Sequence, residues 1–234
     1  HILALMALTL SDIKVFAFDL DDTLYDESLF VQKGTLAVLK WLVDRYNLDL
    51  QSLKGRMNSI SKTYSRNEWY QKLLEETDIP LSHGLIEEMV EIYRTHPPNL
   101  HLFPDAATFL TRIKRKERVF LGIITDGNVA VQESKVKGLG LDRIMDLSVF
   151  TWSKGAQFQK PHNWSFRLVE EHAKARGVDC CYFGNDPNKD FLAPNQLGWK
   201  TVCINRGNSH KIKYPSQEYA THVEINSFDA ISVA

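Results

Sequence analysis

Four short apolar segments, each followed by polar or turn-forming residues, constrain the fold of this 234-residue chain more than any other feature. They are rich in β-branched, aromatic and sulfur-containing residues, so they predict buried strands. The segments are KVFAFDL (14–20), VFLGIIT (119–125), CCYFGN (180–185) and KTVCIN (200–205), with weaker candidates at 147–152 and 222–225. Helical patterns lie between the later strands, including Asp105–Glu117 and Trp164–Arg176. Strands alternating with crossover helices form parallel sheets, so we predict an α/β protein with a doubly wound parallel sheet.

One long interval breaks this alternation. From about residue 27 to residue 99 the periodicity is helical throughout, and Pro97-Pro98 ends the last helix. An uninterrupted helical interval after the first strand indicates a second, smaller domain. We therefore predict a core domain formed by residues 1–25 and 100–234, and an inserted helical domain formed by residues 26–99.

The carboxyl ends of the predicted strands concentrate the polar chemistry of the chain. In an open parallel sheet, ligands bind at these ends. The residues found there are Asp19, Asp21, Thr125, Asp126, Gly127, Asn185, Asp186 and Asp190, with Lys160 in a later loop. Several carboxylates held together need a cation, and their hard oxygen atoms suit Mg²⁺. A lysine and a threonine beside them suit phosphoryl oxygens.

The spacing of the first two aspartates fits covalent phosphoryl transfer. A carboxylate can attack phosphorus and form an aspartyl phosphate, which divides one difficult step into two easier ones. A second carboxylate two residues further on could protonate the leaving oxygen and then activate water. Asp19 and Asp21 have this spacing.

The motifs in this order resemble those of the haloacid dehalogenase (HAD) superfamily, whose members are mostly Mg²⁺-dependent phosphatases, over nearly the whole chain. FDLDDTLYD (18–26) is similar to the first motif of that family, which implies that Asp19 is the nucleophile and Asp21 the general acid/base. LGIITDGN (121–128) resembles the second motif, which ends a strand with a phosphate-binding Thr125. By the same resemblance Asp126 and Gly127 are expected at the substrate.

QKPHNWSF (159–166) resembles the third motif of the family, which implies that Lys160 is the charge-balancing lysine. The family pattern commonly continues Lys-Pro-Asp-Pro, whereas this chain has His162 and Asn163 after Pro161. Because Pro161 and Asn163 can still begin a helix, we expect little catalytic consequence.

YFGNDPNKD (182–190) resembles the fourth motif, in which the family has an acidic metal-binding pair. The family commonly has aspartate directly after the glycine, but here Asn185 stands there and Asp186 follows. One alignment makes Asp186 and Asp190 the metal pair, and the other puts Asn185 in the ligand position. Favouring the first, we expect Mg²⁺ to be held by Asp19, the backbone carbonyl of Asp21 and the acidic pair.

The helical interval resembles the helical cap of the first type in this family, which closes over the site and selects the substrate. Arg66 and Asn67 could reach a substrate from it. The resemblance implies hydrolysis of a small phosphomonoester through an aspartyl phosphate. A phosphomutase, which uses the same residues, stays open. A 2-haloacid dehalogenase is disfavoured by Asp21 and the acidic pair, and a receiver-like phosphorylation switch by the helical insertion.

Composition limits the partners. A formal net charge of −1 gives no electrostatic argument for nucleic acid or an anionic membrane. No apolar stretch approaches the roughly 20 residues of a membrane span, and the apolar opening HILALMAL lacks the features of a signal peptide. Three cysteines, two of them adjacent, cannot form a disulfide framework, which fits a cytoplasmic protein. The expected partner is a small phosphorylated metabolite, and the sequence indicates neither its identity nor an oligomeric state.

Overall fold

The computed structural model describes residues 10–207 and 212–232, so the apolar opening segment discussed above lies outside the described residues. The chain divides into two compact units, one formed by residues 28–98 and the other by the chain before and after them. Within the described residues, no helix combines the length and the apolar character needed to cross a membrane.

Six strands form one parallel sheet in the larger unit. They are β1 (Val15–Phe18), β2 (Phe120–Thr125), β3 (Leu147–Phe150), β4 (Cys180–Gly184), β5 (Lys200–Ile204) and β6 (Val223–Ile225). Their order across the sheet is β3-β2-β1-β4-β5-β6, with every neighbouring pair parallel. The predicted α/β fold with a doubly wound sheet is confirmed, including the two weaker strand candidates. Because β1 pairs with both β2 and β4, the residues that follow it lie near the middle of one sheet edge.

Eight α-helices accompany the strands in the described part of the chain. They are α1 (Glu27–Tyr46), α2 (Leu50–Thr63), α3 (Trp69–Glu75), α4 (His83–Thr95), α5 (Pro104–Lys114), α6 (Val129–Gly138), α7 (Trp164–Ala173) and α8 (Leu192–Gln196). The helix predicted over 164–176 ends three residues earlier than expected. Lys174 adopts a left-handed conformation with φ of 51°, which ends the helical repeat there.

The central strand is buried on both faces, which explains its continuous apolar sequence. Alternate residues of a strand point to opposite faces. Phe16 and Phe18 pack against Phe109 on one face, while Val15 and Ala17 belong to a second cluster that includes Trp199. The strand is therefore fixed from both sides, and so is the start of the polar segment that follows it.

The unit of residues 28–98 has an apolar core of its own. Buried side chains of α1 to α4 form it, including Leu42, Leu53, Leu73 and Met89. Side chains at helix starts complete the backbone hydrogen bonding: the carboxylate of Asp49, for example, accepts a hydrogen bond of 2.6 Å from the backbone N–H of Ser52. All of these core residues belong to the helical unit itself.

Arg66 and Asn67 lie in a single 3₁₀ turn of the helical unit, and both are exposed. The guanidinium of Arg66 lies 6.0 Å from the centre of the Trp69 ring, and the amide oxygen of Asn67 accepts a hydrogen bond of 2.6 Å from the Ser65 hydroxyl. Their expected contact with a substrate stays a prediction.

Candidate active site

The backbone directly after β1 continues the sheet and fixes Asp19. Its N–H donates to the carbonyl of Phe183 in β4 over 2.8 Å, and its side chain is 5% exposed. Oδ1 accepts a hydrogen bond of 2.7 Å from Lys160 Nζ, whereas no described residue donates to Oδ2. Burial raises the pKa of Asp19 to about 7, against the opposing effect of the Lys160 charge. The result is a buried carboxylate with one oxygen held and the other open.

Lys160 is fully buried and joins two carboxylates. Its Nζ lies 2.7 Å from Asp19 Oδ1, 2.7 Å from Asp190 Oδ1 and 3.1 Å from the Tyr182 hydroxyl. Burial alone would lower the pKa of Lys160, but the charges of Asp19 and Asp190 raise it well above its usual value. The lysine is therefore held charged in contact with the first and fourth motifs.

Asp190 anchors both Lys160 and the loop after β4. Its Oδ2 accepts hydrogen bonds from the backbone N–H groups of Asn185, at 3.0 Å, and Asp186, at 2.8 Å. The same oxygen lies against Gly184, where an added Cβ would stand 2.5 Å away. Close approach of this carboxylate explains why β4 ends in glycine.

The two candidate ligands of the fourth motif have different surroundings. Asp186 Oδ1 accepts hydrogen bonds from the backbone N–H of Asn188 at 2.9 Å and from its side-chain amide at 3.1 Å. The amide oxygen of Asn185 lies 3.4 Å from the hydroxyl of Thr23, a residue of the first motif. Thus the Asn185 amide is directed toward the first motif, whereas Asp186 Oδ1 is used within its own turn.

Among residues 10–207 and 212–232, no three or more histidine, cysteine, aspartate and glutamate side chains are grouped so that they could hold a metal ion. The expected set of Asp19, Asp186 and Asp190 is therefore not assembled as three side-chain ligands. Backbone carbonyls and side-chain amides, which also bind Mg²⁺, lie outside that grouping.

Asp21 is held by three donors. Lys135 Nζ at 2.7 Å and the Tyr25 hydroxyl at 2.5 Å donate to Oδ1, and Gln132 Nε2 at 2.9 Å donates to Oδ2. Burial opposes ionisation of this carboxyl group, but the Lys135 charge and the three hydrogen bonds outweigh it and lower the pKa of Asp21. Both carboxyl oxygens of Asp21 are thus oriented by hydrogen bonds.

The end of β2 places the second motif beside this arrangement. Thr125 is buried, and its hydroxyl oxygen accepts a hydrogen bond of 2.6 Å from Gln132 Nε2. Asp126 Oδ1 accepts from the Thr151 hydroxyl at 2.7 Å and from the backbone N–H of Lys160 at 3.1 Å. Gly127, with φ of 118°, turns the chain into α6. Asp126 therefore fixes the loop that carries the lysine.

A cavity of about 640 Å³ lies in the larger unit, at the ends of β1, β4 and β5. Asn185, Arg206 and Lys213 are among its lining residues. Arg206 is held by two hydrogen bonds of 2.9 Å to the carboxylate of Asp105 and by the backbone carbonyl of Thr23. The volume is in the range of small-molecule sites.

Comparison with known proteins decides the family. The family model described as haloacid dehalogenase-like hydrolase matches residues 13–198, which include all four motifs. The chain belongs to the haloacid dehalogenase-like hydrolases. It is 28% identical over 216 residues to the glyceraldehyde 3-phosphate phosphatase of Pyrococcus furiosus, covering 90% of this chain and 88% of that protein.

Two further matches extend over most of the chain. The glyceraldehyde 3-phosphate phosphatase of Methanocaldococcus jannaschii is 26% identical over 226 residues, which cover 94% of this chain and 95% of that protein. The structure of the HAD hydrolase YfnB from Bacillus subtilis, bound to magnesium, superposes with a TM-score of 0.66 at 18% identity, covering 93% and 96% of the two chains. The predicted family resemblance is confirmed, and this protein is an enzyme of the HAD-like hydrolase family.

Three residues around Asp21 in this HAD-like hydrolase escaped sequence reasoning: Tyr25, Gln132 and Lys135. Gln132 and Lys135 are three apart on α6 and are both buried, so they lie on one face of the helix. That face contains polar side chains where an amphipathic helix would present apolar ones. The polar pair at helical spacing was a signal available in the sequence, but its partner lies in a distant segment.

Proposed function

We propose that this HAD-like hydrolase is a Mg²⁺-dependent phosphatase that hydrolyses a small phosphomonoester through an aspartyl-phosphate intermediate. The observation that carries this proposal is the pairing of two differently held carboxylates at one strand end. Asp19 has an oxygen without a hydrogen-bond donor among the described residues, and Asp21 follows two residues later with both oxygens oriented. One suits a nucleophile, and the other suits a positioned acid/base.

The chemistry proceeds in two balanced steps. Asp19 attacks phosphorus, the bond from phosphorus to the ester oxygen breaks, and the leaving oxygen takes a proton held at Asp21. Water then attacks the aspartyl phosphate, loses its proton to Asp21, and releases inorganic phosphate with the Asp19 carboxylate regenerated. Lys160 and Thr125 stabilise the negative charge on the transferring group. Asp21 thus acts as acid in the first step and base in the second.

The oxygen donors near Asp19 support Mg²⁺ as the cofactor. The carboxylate of Asp19, the backbone carbonyl of Asp21 and the amide oxygen of Asn185 are hard ligands of the kind Mg²⁺ prefers. The amide oxygen of Asn185 accepts a long hydrogen bond of 3.4 Å from the Thr23 hydroxyl, which leaves its second lone pair available to a metal. We therefore propose Asn185 rather than Asp186 as the ligand from the fourth motif. When bound, the metal would supply positive charge to the phosphoryl oxygens.

Glyceraldehyde 3-phosphate is the first substrate to test. Two relatives with that specificity align over most of this chain, and the neighbouring cavity of about 640 Å³ can hold a molecule of that size. We also propose that the helical unit of residues 28–98 serves as the cap that excludes water during the reaction. The three cysteines are buried and unpaired, which supports a reducing compartment such as the cytoplasm.

A panel of phosphate esters tests this function. Wild-type protein is incubated with Mg²⁺ and glyceraldehyde 3-phosphate, other sugar phosphates, phosphoglycolate, nucleotides and an aryl phosphate, and released phosphate is measured. Turnover of at least one ester, abolished by chelator and by Asp19→Asn, is expected. Absence of turnover across the panel, or full activity of Asp19→Asn, would overturn the proposal.

A further inference from the structure

Lys135 is a charged side chain buried in the α/β unit. It belongs to α6, is 3% exposed, and its ammonium group lies 2.7 Å from Asp21 Oδ1. Removing a lysine from water is unfavourable, and an apolar residue of similar volume often stabilises a protein as well as a buried ion pair does. Stability alone therefore does not account for a lysine at this position.

The donors around Asp21 fix the orientation of its carboxylate. Two of them, Lys135 and Tyr25, act on Oδ1, while Gln132 acts on Oδ2 from the other side. Hydrogen bonds to both oxygens oppose rotation of the carboxylate plane about the last side-chain bond. Because these donors belong to α6 and to the turn after β1, the orientation of the Asp21 carboxylate depends on two separate elements.

The same helix connects Asp21 to the second motif. Gln132 Nε2 lies 2.9 Å from Asp21 Oδ2 and 2.6 Å from the hydroxyl oxygen of Thr125. Lys135 lies three residues further along the same helical face. One face of α6 therefore sets the position of the acid/base relative to a residue that faces the phosphate in the proposed reaction.

We propose that Lys135 is a positioning residue that aims Asp21 at the oxygen atoms between which protons move. The inference rests on the proposed phosphatase function and deepens it. In the first step the ester oxygen takes its proton from Asp21, and in the second step water gives its proton to Asp21. Lys135 keeps its own protons in both steps and does not touch the reacting atoms.

The test compares Lys135→Met, an unbranched side chain that is one atom shorter and uncharged, with Lys135→Arg and Lys137→Met. Lys137 is exposed on the same helix, so its substitution is a matched control. General acid/base catalysis contributes about 10²- to 10⁴-fold. We expect Lys135→Met to lower kcat for an alkyl phosphate about 100-fold with KM changed less than about threefold. Lys135→Arg should recover part of the loss, and Lys137→Met should match wild type.

A second readout separates positioning from a structural role. An aryl phosphate with a good leaving group needs little proton donation in the first step, whereas the second step still needs the base. Lys135→Met should therefore give a rapid burst of aryl alcohol and accumulate phosphoenzyme. Equal losses with alkyl and aryl esters and no burst, in variants whose circular dichroism matches wild type, would overturn the inference.

Tyr25→Phe keeps the inference testable if Lys135→Met fails to fold. It removes only the hydroxyl that donates to the same Asp21 oxygen, and it should show a smaller loss of kcat with the same burst. A Tyr25→Phe enzyme with wild-type rates and no burst would then count against positioning by these donors. Wild-type protein without turnover would refute the proposed function itself, whereas an active wild type with a Lys135→Met variant equal to Lys137→Met would refute this inference alone.

Discussion

Gly184 is the position at which one added methyl group should do most damage to the site without removing any functional group. A Cβ there would stand 2.5 Å from Asp190 Oδ2 and 2.7 Å from its Cγ. Restoring an ordinary separation of 3.4 Å requires Asp190 to move by about 0.9 Å. Asp190 is a short, fully buried side chain that also binds Lys160 at 2.7 Å and the backbone N–H of Asp186 at 2.8 Å. The displacement therefore passes directly to the lysine that contacts Asp19.

The magnitude of the Gly184→Ala effect follows from that displacement. Overpacking a well-packed core costs about 1–3 kcal/mol, which in a protein of this size lowers Tm by roughly 2–4 °C for each kcal/mol. Misplacement of a catalytic group by about 1 Å costs on the order of 100-fold in rate. We therefore expect a Tm about 2–12 °C below wild type and a loss of kcat of about 100-fold. Thermal unfolding and steady-state phosphate release measure the two effects.

Gly122→Ala is the matched control for Gly184→Ala. Gly122 lies in β2, and a Cβ there would meet its nearest neighbours at 3.7 and 3.8 Å, which are ordinary contacts. This variant should keep kcat within about threefold of wild type, because its contacts require no displacement. If Gly184→Ala is as active as Gly122→Ala, the reasoning that links Asp190 to the position of Lys160 is refuted.

Two further predictions concern the pH dependence of stability and the affinity for Mg²⁺. Burial would raise the pKa of Asp105, but its hydrogen bonds and the charge of Arg206 outweigh burial and lower that pKa. The ionised Asp105 carboxylate therefore stabilises the folded protein fully above about pH 4, and this contribution is lost as the pH falls through the lower pKa of the folded state. In Asp105→Asn, the free energy of unfolding, measured with urea, should therefore depend less on pH at acidic pH than in wild type. An unchanged pH dependence would contradict this. Asn185→Asp should raise the affinity for Mg²⁺, measured as a Tm shift during metal titration, whereas Asp186→Ala should leave it near wild type. The opposite ranking would restore Asp186 as the ligand.

The sheet could be predicted from the sequence because its strands are buried on both faces. A parallel strand such as β1 must be apolar at consecutive positions, so it is visible as a short apolar run without reference to the rest of the chain. The carboxyl ends of such strands then identify where Asp19 and Thr125 lie relative to one another. The end of α7 could not be predicted, since Lys174 carries the left-handed conformation more typical of glycine.

The hydrogen bonds around Asp21 could not be predicted because they join segments far apart in sequence. In the sequence, Lys135 does not differ from the other polar residues of α6. Only the fold brings its Nζ to 2.7 Å from Asp21 Oδ1. The distinction between Asn185 and Asp186 is local by contrast, since it depends on which of the two side chains turns into the loop. The hydrogen bonds from Asn188 to Asp186 decide that direction, and no pattern in the sequence specifies them.

Formation of a phosphoryl bond to Asp19 is the central claim, and it is measured by rapid acid quench of wild-type enzyme during turnover of a phosphate ester, followed by peptide mass spectrometry. We predict a transient phosphoryl group on Asp19 that needs Mg²⁺ and is absent in Asp19→Asn. Phosphate release with the phosphoryl group on another residue, or undiminished release by Asp19→Asn, would contradict the account.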